Sequence, residues 1–398
     1  MTDNNLENLS EQEYFDKYYN IAYYDETLPK PSNDLIFMHY ISSSVIYAFF
    51  TMFILFNPFY VNLYAKYPWA NVIVIYLFLS YLIIAPILLF TIKPKTIYAS
   101  HSIELMNYIL KIFRRDGYRK DFTTTEFIEW LTPTYKQKQS FFVYFVKLYF
   151  GPQFVLYAYF HFRDASIYFN YLYEHFKLIP SVDILSQICT FIKQNGIKLY
   201  SFAFFTLYFI DCGTFAIGYC TELCILRNRI RSVETSFLGL LFCLMCYVPI
   251  SGAFWFIFQW NHVDRTTHFT QNMCINITLS MLALLAMTIY VSASVALFTK
   301  GSNLTNRGTV TCFPYNIVRH PAYSTKILGW IIGSVPVVIT LVHGTNAVKN
   351  IILYVIGACF AVFIYYMRAI TEERHLSRDP EYRAYTKKVK YQFIPKVW

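Results

Sequence analysis

A chain of 398 residues that is 56% hydrophobic, 20% aromatic and only 15% charged does not describe a soluble domain. Apolar runs of twenty or more residues recur from Ile36 to Ile370, each long enough to cross a bilayer as a helix. The net charge of +10 does not mark a nucleic-acid binder, because there is no zinc-ligand spacing or basic recognition helix and the lysines and arginines flank apolar segments.

The chain therefore reads as all-α, a polytopic membrane helical bundle with about eight transmembrane helices. Residues 1–34 form an acidic, polar tail with Asp3, Glu7, Glu11, Glu13 and Asp16, which lacks the character of a signal peptide. Residues 35–234 hold four spans of unassigned role: Ile36 to Phe56, Trp69 to Ile92, Phe141 to Phe162 and Ile197 to Tyr219. Residues 235–398 hold Phe237 to Phe258, Met273 to Phe298, Ala322 to Val342 and Val348 to Ile370, followed by a polar C-terminal segment. The third span is the weakest, since Lys147 lies within it and Gly151-Pro152 predicts a kink.

With eight spans, the tail, the even loops and the C-terminal segment carry 24 lysines and arginines against 5 in the odd loops. That asymmetry predicts an integral membrane protein with both termini cytoplasmic, in the bacterial inner membrane or the endoplasmic reticulum. In the basic loop from Lys93 to Ser140, Ile103, Met106, Ile109, Leu110 and Phe113 share one helical face and precede Arg114, Arg115, Arg119 and Lys120. This predicts an amphipathic helix on an anionic surface. Thr123-x-x-Glu126 predicts a capping box opening a second short helix. Ser166 to Pro180 is rich in Tyr and Phe but too short to span, and reads as interfacial.

The nine cysteines fall mostly within apolar segments and read as free thiols; Cys243-x-x-Cys246 lies mid-helix and does not read as a redox or metal pair. Asp211 and Glu222 are ionisable residues in or beside the fourth span, where a pairing role and a substrate role both remain open, with Arg227 a near partner for Glu222. His262, Asp264 and His268 in the fifth loop lack a fourth ligand and read as a surface cluster.

The last hundred residues carry the chemistry. Pro321 suits the first position of a helix, so the seventh span begins there with Arg319 and His320 at its mouth. Residues equally far from the hairpin tip near Asn346 lie at one depth, which brings Arg319 and His320 opposite Glu372 and Glu373. An arginine, a histidine, a helix N-terminus and two carboxylates suit a zwitterionic ligand, and equally suit an interfacial salt bridge.

Arg319-His320-Pro321-x-Tyr323, with Pro314-Tyr315 upstream and Glu372-Glu373-x-x-Leu376, Tyr382-x-x-Tyr385 and Ile394-Pro395 downstream, resembles the isoprenylcysteine carboxyl methyltransferase family and its phospholipid methyltransferase relatives. The resemblance runs from about Asn303 to Pro395. It implies a methyltransferase-like membrane core over 235–398, with S-adenosylmethionine bound at the cytoplasmic ends of the last two helices. A lipid or lipid-modified acceptor, of which the carboxylate of a prenylated cysteine is the family's best-known case, would enter from the bilayer.

By the same analogy, one of Glu372 and Glu373 takes the cofactor's ammonium. His320, Pro314, Tyr315 and Tyr323 shape its pocket, Arg319 holds a carboxylate of cofactor or acceptor, and Tyr382 and Tyr385 close the site. Arg319 and His320 are then the catalytic candidates, with no metal involved. The family's Gly before Pro-Tyr is Phe313 here, and a bulky side chain at that point predicts a narrowed pocket. A nicotinamide-dependent reductase of sterol-like lipids carries a similar Arg-His-Pro-x-Tyr but continues with Gly and an acidic residue, where this chain has Ser324-Thr325-Lys326. A membrane scaffold or transporter with a lapsed cofactor site is the reading from another class.

Overall fold

The computed structural model describes residues 27–65, 68–119, 121–177, 184–222, 226, 228–252, 273–342 and 346–397. Within them the protein is an all-α bundle in which seven helices are long and apolar enough to cross a membrane. These seven are α1 (Asn33–Phe56), α3 (Pro68–Ile92), α6 (Tyr135–Phe176), α7 (Ile184–Cys220), α9 (Met273–Leu297), α10 (Pro321–Val342) and α11 (Ala347–Leu376). Shorter helices α2 (Pro58–Tyr64), α4 (His101–Arg114), α5 (Thr124–Leu131), α8 (Phe237–Leu244) and α12 (Pro380–Lys388) complete the described set.

The third predicted span is part of a single helix of 42 residues that runs through Gly151-Pro152 without a break. Pro152 has no N–H for the carbonyl of Leu148 one turn earlier. The Tyr60 hydroxyl of α2 donates to that carbonyl at 2.9 Å, and the Tyr64 hydroxyl donates to the carbonyl of Pro152 at 3.0 Å. Lys147 is accommodated as well, because its ammonium pairs with Glu222 and donates to the Tyr47 hydroxyl at 2.9 Å. Glu222 thus pairs with Lys147; Arg227 lies outside the described residues. Burial opposes the charge of Glu222, but Lys147, Arg307 and Arg229 together hold its carboxyl well below the usual range.

Ser166 to Phe176 forms the last turns of α6. Two further expectations are corrected. The fifth predicted span does not continue as one helix: α8 ends at Leu244 and the chain turns through Met245–Pro249, where Pro249 lacks an N–H and disfavours helix at Val248. The apolar face of α4 is largely covered by protein, since Leu105, Met106 and Ile109 pack with Ile46 of α1 and Tyr144 of α6, while Phe113 is left exposed. The amphipathic period was real, but α1 and α6 supply the surface it covers. Both halves of the Thr123–Glu126 capping box are present at the start of α5.

The largest core cluster joins Phe150 and Phe154 of α6, Cys212 and Tyr219 of α7, Ile230 and Val233 of the segment before α8, and Cys243 of α8. It spans both sides of residue 235. Strand β1 (Ser232–Val233) pairs antiparallel with β2 (Thr305–Asn306). The buried Gln139 amide completes the edge of β1, donating to the Val233 carbonyl at 3.0 Å and accepting from its N–H at 2.8 Å. This small ribbon fixes the loop before α10, which forms one wall of the site below.

Candidate functional site

Helix α10 opens on Pro321, whose missing N–H is one that a helix start leaves unpaired in any case. The backbone N–H groups of Arg319 and His320 instead donate to the carbonyls of Tyr391 and Gln392, each at 2.9 Å. The C-terminal segment is thereby laid across the mouth of α10. On α11, Glu373 faces that mouth. Arg319 Nε donates to its Oε1 at 2.6 Å and Arg319 Nη2 to its Oε2 at 3.2 Å. Gln392 donates to Oε2 at 2.7 Å, and His320 Nε2 lies 3.1 Å from Oε1. A carboxylate only accepts, so the His320 proton on that contact sits on Nε2.

Arg319 is fully engaged, because its Nη1 also donates to the carbonyls of Val389 and Lys390 at 3.0 and 2.7 Å. His320 stacks between Tyr323, at 5.3 Å, and Phe393, at 5.6 Å. Arg319, His320 and Glu373 therefore form a closed brace between helix ends.

Glu372, one residue earlier on α11, points elsewhere. It accepts from the Tyr323 hydroxyl at 2.6 Å and lines a cavity of about 140 Å³. Arg368, one turn back on the same face of α11, lines that cavity too. Its guanidinium donates to the Asn303 side-chain oxygen and lies over the rings of Tyr247, Tyr323 and Tyr365 at 5.5, 5.2 and 5.9 Å. Among the described residues no carboxylate lies within ion-pair distance of Arg368, although the side chain is buried.

The opposite wall comes from the loop before α10 and from α12. Tyr315, Tyr382 and Tyr385 line it, and the Tyr385 hydroxyl donates to the Tyr315 carbonyl at 2.7 Å. Burial pushes all three phenols up, so they stay protonated donors. Two unspent sets of donors line the same space: Asn303 Nδ2, and Nε and Nη2 of Arg307, are buried without a partner among the described residues.

A second cavity, of about 260 Å³, shares Asn303, Tyr315, Tyr323 and Arg368 with the first and runs back between α7, α9, α10 and α11. Its lining is mainly aromatic but includes Asp211 and Lys326. The Asp211 carboxylate accepts from the hydroxyls of Ser294 and Tyr290, the latter at 3.0 Å, so a neighbouring helix supplies its partners.

Of the residues singled out in the sequence, Tyr315, Arg319, His320, Tyr323, Glu372, Tyr382 and Tyr385 border the first cavity. Glu373 stands behind it in the brace, and Pro314 is buried outside its lining. Phe313 is 55% exposed and borders neither cavity, so it does not narrow the site. Cys243 is buried in the core, and no group of three His, Cys, Asp or Glu suits a metal among the described residues. His262, Asp264 and His268 lie outside the described residues.

Sequence reasoning missed Arg368, Asn303 and Arg307. The signal for Arg368 was present: it is a basic residue inside a span, four positions before Glu372. Set against models of known families, curated proteins and solved structures, the chain matches none.

Proposed function

We propose that the protein transfers a methyl group from S-adenosylmethionine to a lipid or lipid-modified acceptor. The observation that carries this reading is the meeting of two cavities at Tyr323 and Arg368, one at the helix ends with Glu372 and the unspent donors of Asn303 and Arg307, and one rich in aromatic rings among the membrane helices. Such a pair suits a soluble, charged donor and a hydrocarbon-bearing acceptor that approach one point from opposite sides.

The residues of the polar cavity have the complementary charges for this cofactor. Glu372 is the carboxylate available for its ammonium, and the unspent N–H groups of Arg307 and Asn303 are donors for its carboxylate. Tyr315, Tyr382 and Tyr385 enclose the remainder and keep water out. Bound there, S-adenosylmethionine supplies an electrophilic methyl on a sulfonium, which passes to a nucleophile aligned with it and needs no strong base.

Arg319 was the cation expected to hold an acceptor carboxylate, but its donors are taken by Glu373 and two carbonyls. Among the described residues Arg368 has no carboxylate within ion-pair distance, and it faces both cavities, so we assign it the acidic group of the acceptor. The brace of Arg319, His320 and Glu373 acts as a positioning element that sets the mouth of α10 and, through Tyr323, the orientation of Glu372. With one crossing between Phe237 and Met273, as in the eight-span count, the lysine and arginine asymmetry supports a cytoplasmic placement of this end, within the endoplasmic reticulum or the bacterial inner membrane.

One feature favours the nicotinamide-dependent reductase as a second reading. Lys300, Arg307, Arg319 and Arg368 outnumber Glu372 around the polar cavity, a balance that also suits the phosphates of NADPH. Equilibrium binding of each cofactor to the detergent-purified protein separates the two: saturable S-adenosylmethionine binding that NADPH does not displace supports methyl transfer, and the converse supports reduction.

A further inference from the structure

A third polar cavity lies in the first half of the chain, apart from the two above, and methyl transfer makes no use of it. It encloses about 70 Å³ at the end of α3, lined by His39 and Ser43 of α1, Thr96, His101 and Ser102 at the start of α4, and Arg229. Some 10–15 Å³ of such space holds one water, so the cavity has room for roughly five heavy atoms, the size of a phosphate group.

Its lining sets hydroxyl and imidazole groups beside Arg229 and Glu222, with the rings of Tyr47, Tyr81 and Tyr144 completing the wall. His39 Nδ1 lies 2.7 Å from the Ser100 hydroxyl and 3.1 Å from that of Ser102, and His101 Nδ1 lies 3.0 Å from the Ser140 hydroxyl. Arg229 donates to the carbonyls of Thr96 and Ala99, the latter at 2.7 Å, which satisfies hydrogen bonds without a contact ion pair, while Glu222 offsets part of its charge from a longer distance. Among the described residues no carboxylate is within ion-pair distance of it. Glu222 also borders the cavity, but its two oxygens are taken by Lys147 and by the Ile230 N–H at 2.8 Å. The N-terminus of α4, a helix of 14 residues, adds the positive end of its dipole at His101 and Ser102. Its first-turn Glu104 pairs with Lys136.

A half-buried cation, a helix N-terminus, serine hydroxyls and imidazoles around a space of this size are the elements of an anion site. We infer that this cavity binds a phosphate group, carried on a lipid headgroup or free in solution. Leu89 and Pro94, which flank the end of the apolar run of α3, border the cavity, so a phosphate there stands at headgroup depth.

The test is thermal unfolding of the full chain in phosphate-free detergent, titrated separately with inorganic phosphate, dioleoyl phosphatidic acid and dioleoylglycerol. A saturable rise of about 2 °C or more is expected with a phosphate-bearing probe and not with dioleoylglycerol. A rise with phosphatidic acid alone identifies a lipid phosphate, and a rise with inorganic phosphate identifies the free anion. Arg229→Gln should abolish the response; because Arg229 also holds two carbonyls, Ser43→Leu, which fills the cavity and keeps the arginine, provides the second variant and should abolish it too. No rise with either phosphate probe, an equal rise with dioleoylglycerol, or an undiminished rise in Ser43→Leu would overturn the inference.

Discussion

Arg319 and Glu373, 54 residues apart in the chain, form a two-point ion pair at 2.6 and 3.2 Å across the α10–α11 hairpin. That pairing decides the roles of two adjacent carboxylates. Successive residues on a helix point about 100° apart, so the brace turns Glu373 inward toward the helix mouth and leaves Glu372 to face the cavity.

The two carboxylates should therefore separate in mutagenesis. Glu372→Gln is expected to weaken S-adenosylmethionine binding by about 10- to 150-fold, the worth of one charge-assisted contact of roughly 1.5–3 kcal/mol, with little change in thermal unfolding. Glu373→Gln should act mainly on thermal unfolding, with a smaller loss of binding through the displaced Tyr323 and Glu372. It strands Arg319, whose side chain is only 11% exposed, and removing one partner of a buried pair costs about 3–5 kcal/mol. Binding isotherms and unfolding curves on both variants check this, and equal effects on the two readouts would contradict it.

Arg368→Met should spare the cofactor and affect the acceptor. Its predicted signature is S-adenosylmethionine affinity within about threefold of the parent, with turnover of an acidic lipid acceptor reduced at least 100-fold. Loss of cofactor affinity to the same degree as Glu372→Gln would move Arg368 to the cofactor side of the site.

Tyr60→Phe probes the long helix rather than the site. The hydroxyl it removes is the donor to the carbonyl that Pro152 leaves unpaired, so the variant should lose about 1–3 kcal/mol of stability. Tyr64→Phe, whose hydroxyl donates to a buried carbonyl at 3.0 Å, is expected to be similar. Cofactor binding should be unchanged in both, and an unfolding midpoint equal to the parent's in both would show that the carbonyls are satisfied in another way.

The sign of one pH dependence follows from His101. Burial, with Arg229 and Lys147 nearby and Glu222 opposing them, lowers its pKa from 6.5 to about 3. In the folded protein it stays neutral while the unfolded chain protonates near pH 6.5, so stability is constant above that pH and falls as pH drops from 6.5 toward 3. The loss from this group approaches about 1.4 kcal/mol per pH unit. In phosphate-free detergent, the unfolding midpoint of the parent should fall faster between pH 7.5 and 5.5 than that of His101→Asn; parallel slopes would remove His101 as the cause.

Seven of the eight predicted spans were legible because apolar length is a property of sequence alone, and the α10–α11 hairpin because depth is proportional to residue count. What pairs with what was less legible. Lys147 read as a flaw in a span, since its partner Glu222 lies 75 residues away, and Gly151-Pro152 read as a weak point because the Tyr60 hydroxyl that takes up the Leu148 carbonyl belongs to α2. The face of α4 read as a membrane surface, because an apolar stripe does not reveal whether lipid or α6 covers it. In the site, the Arg-His and Glu-Glu pairs stood out as motifs. The division of labour between Glu372 and Glu373 did not, since it depends on where the Arg319 guanidinium points.

The central claim is that Glu372, and not Glu373, faces a bound S-adenosylmethionine. The most direct measurement is equilibrium binding of radiolabelled S-adenosylmethionine to the detergent-purified parent and to folded Glu372→Gln protein, with unlabelled NADPH as competitor. The account predicts saturable binding to the parent that NADPH does not displace and that Glu372→Gln weakens by at least tenfold. Absence of saturable binding to the folded parent, displacement by NADPH, or full affinity in Glu372→Gln would contradict it.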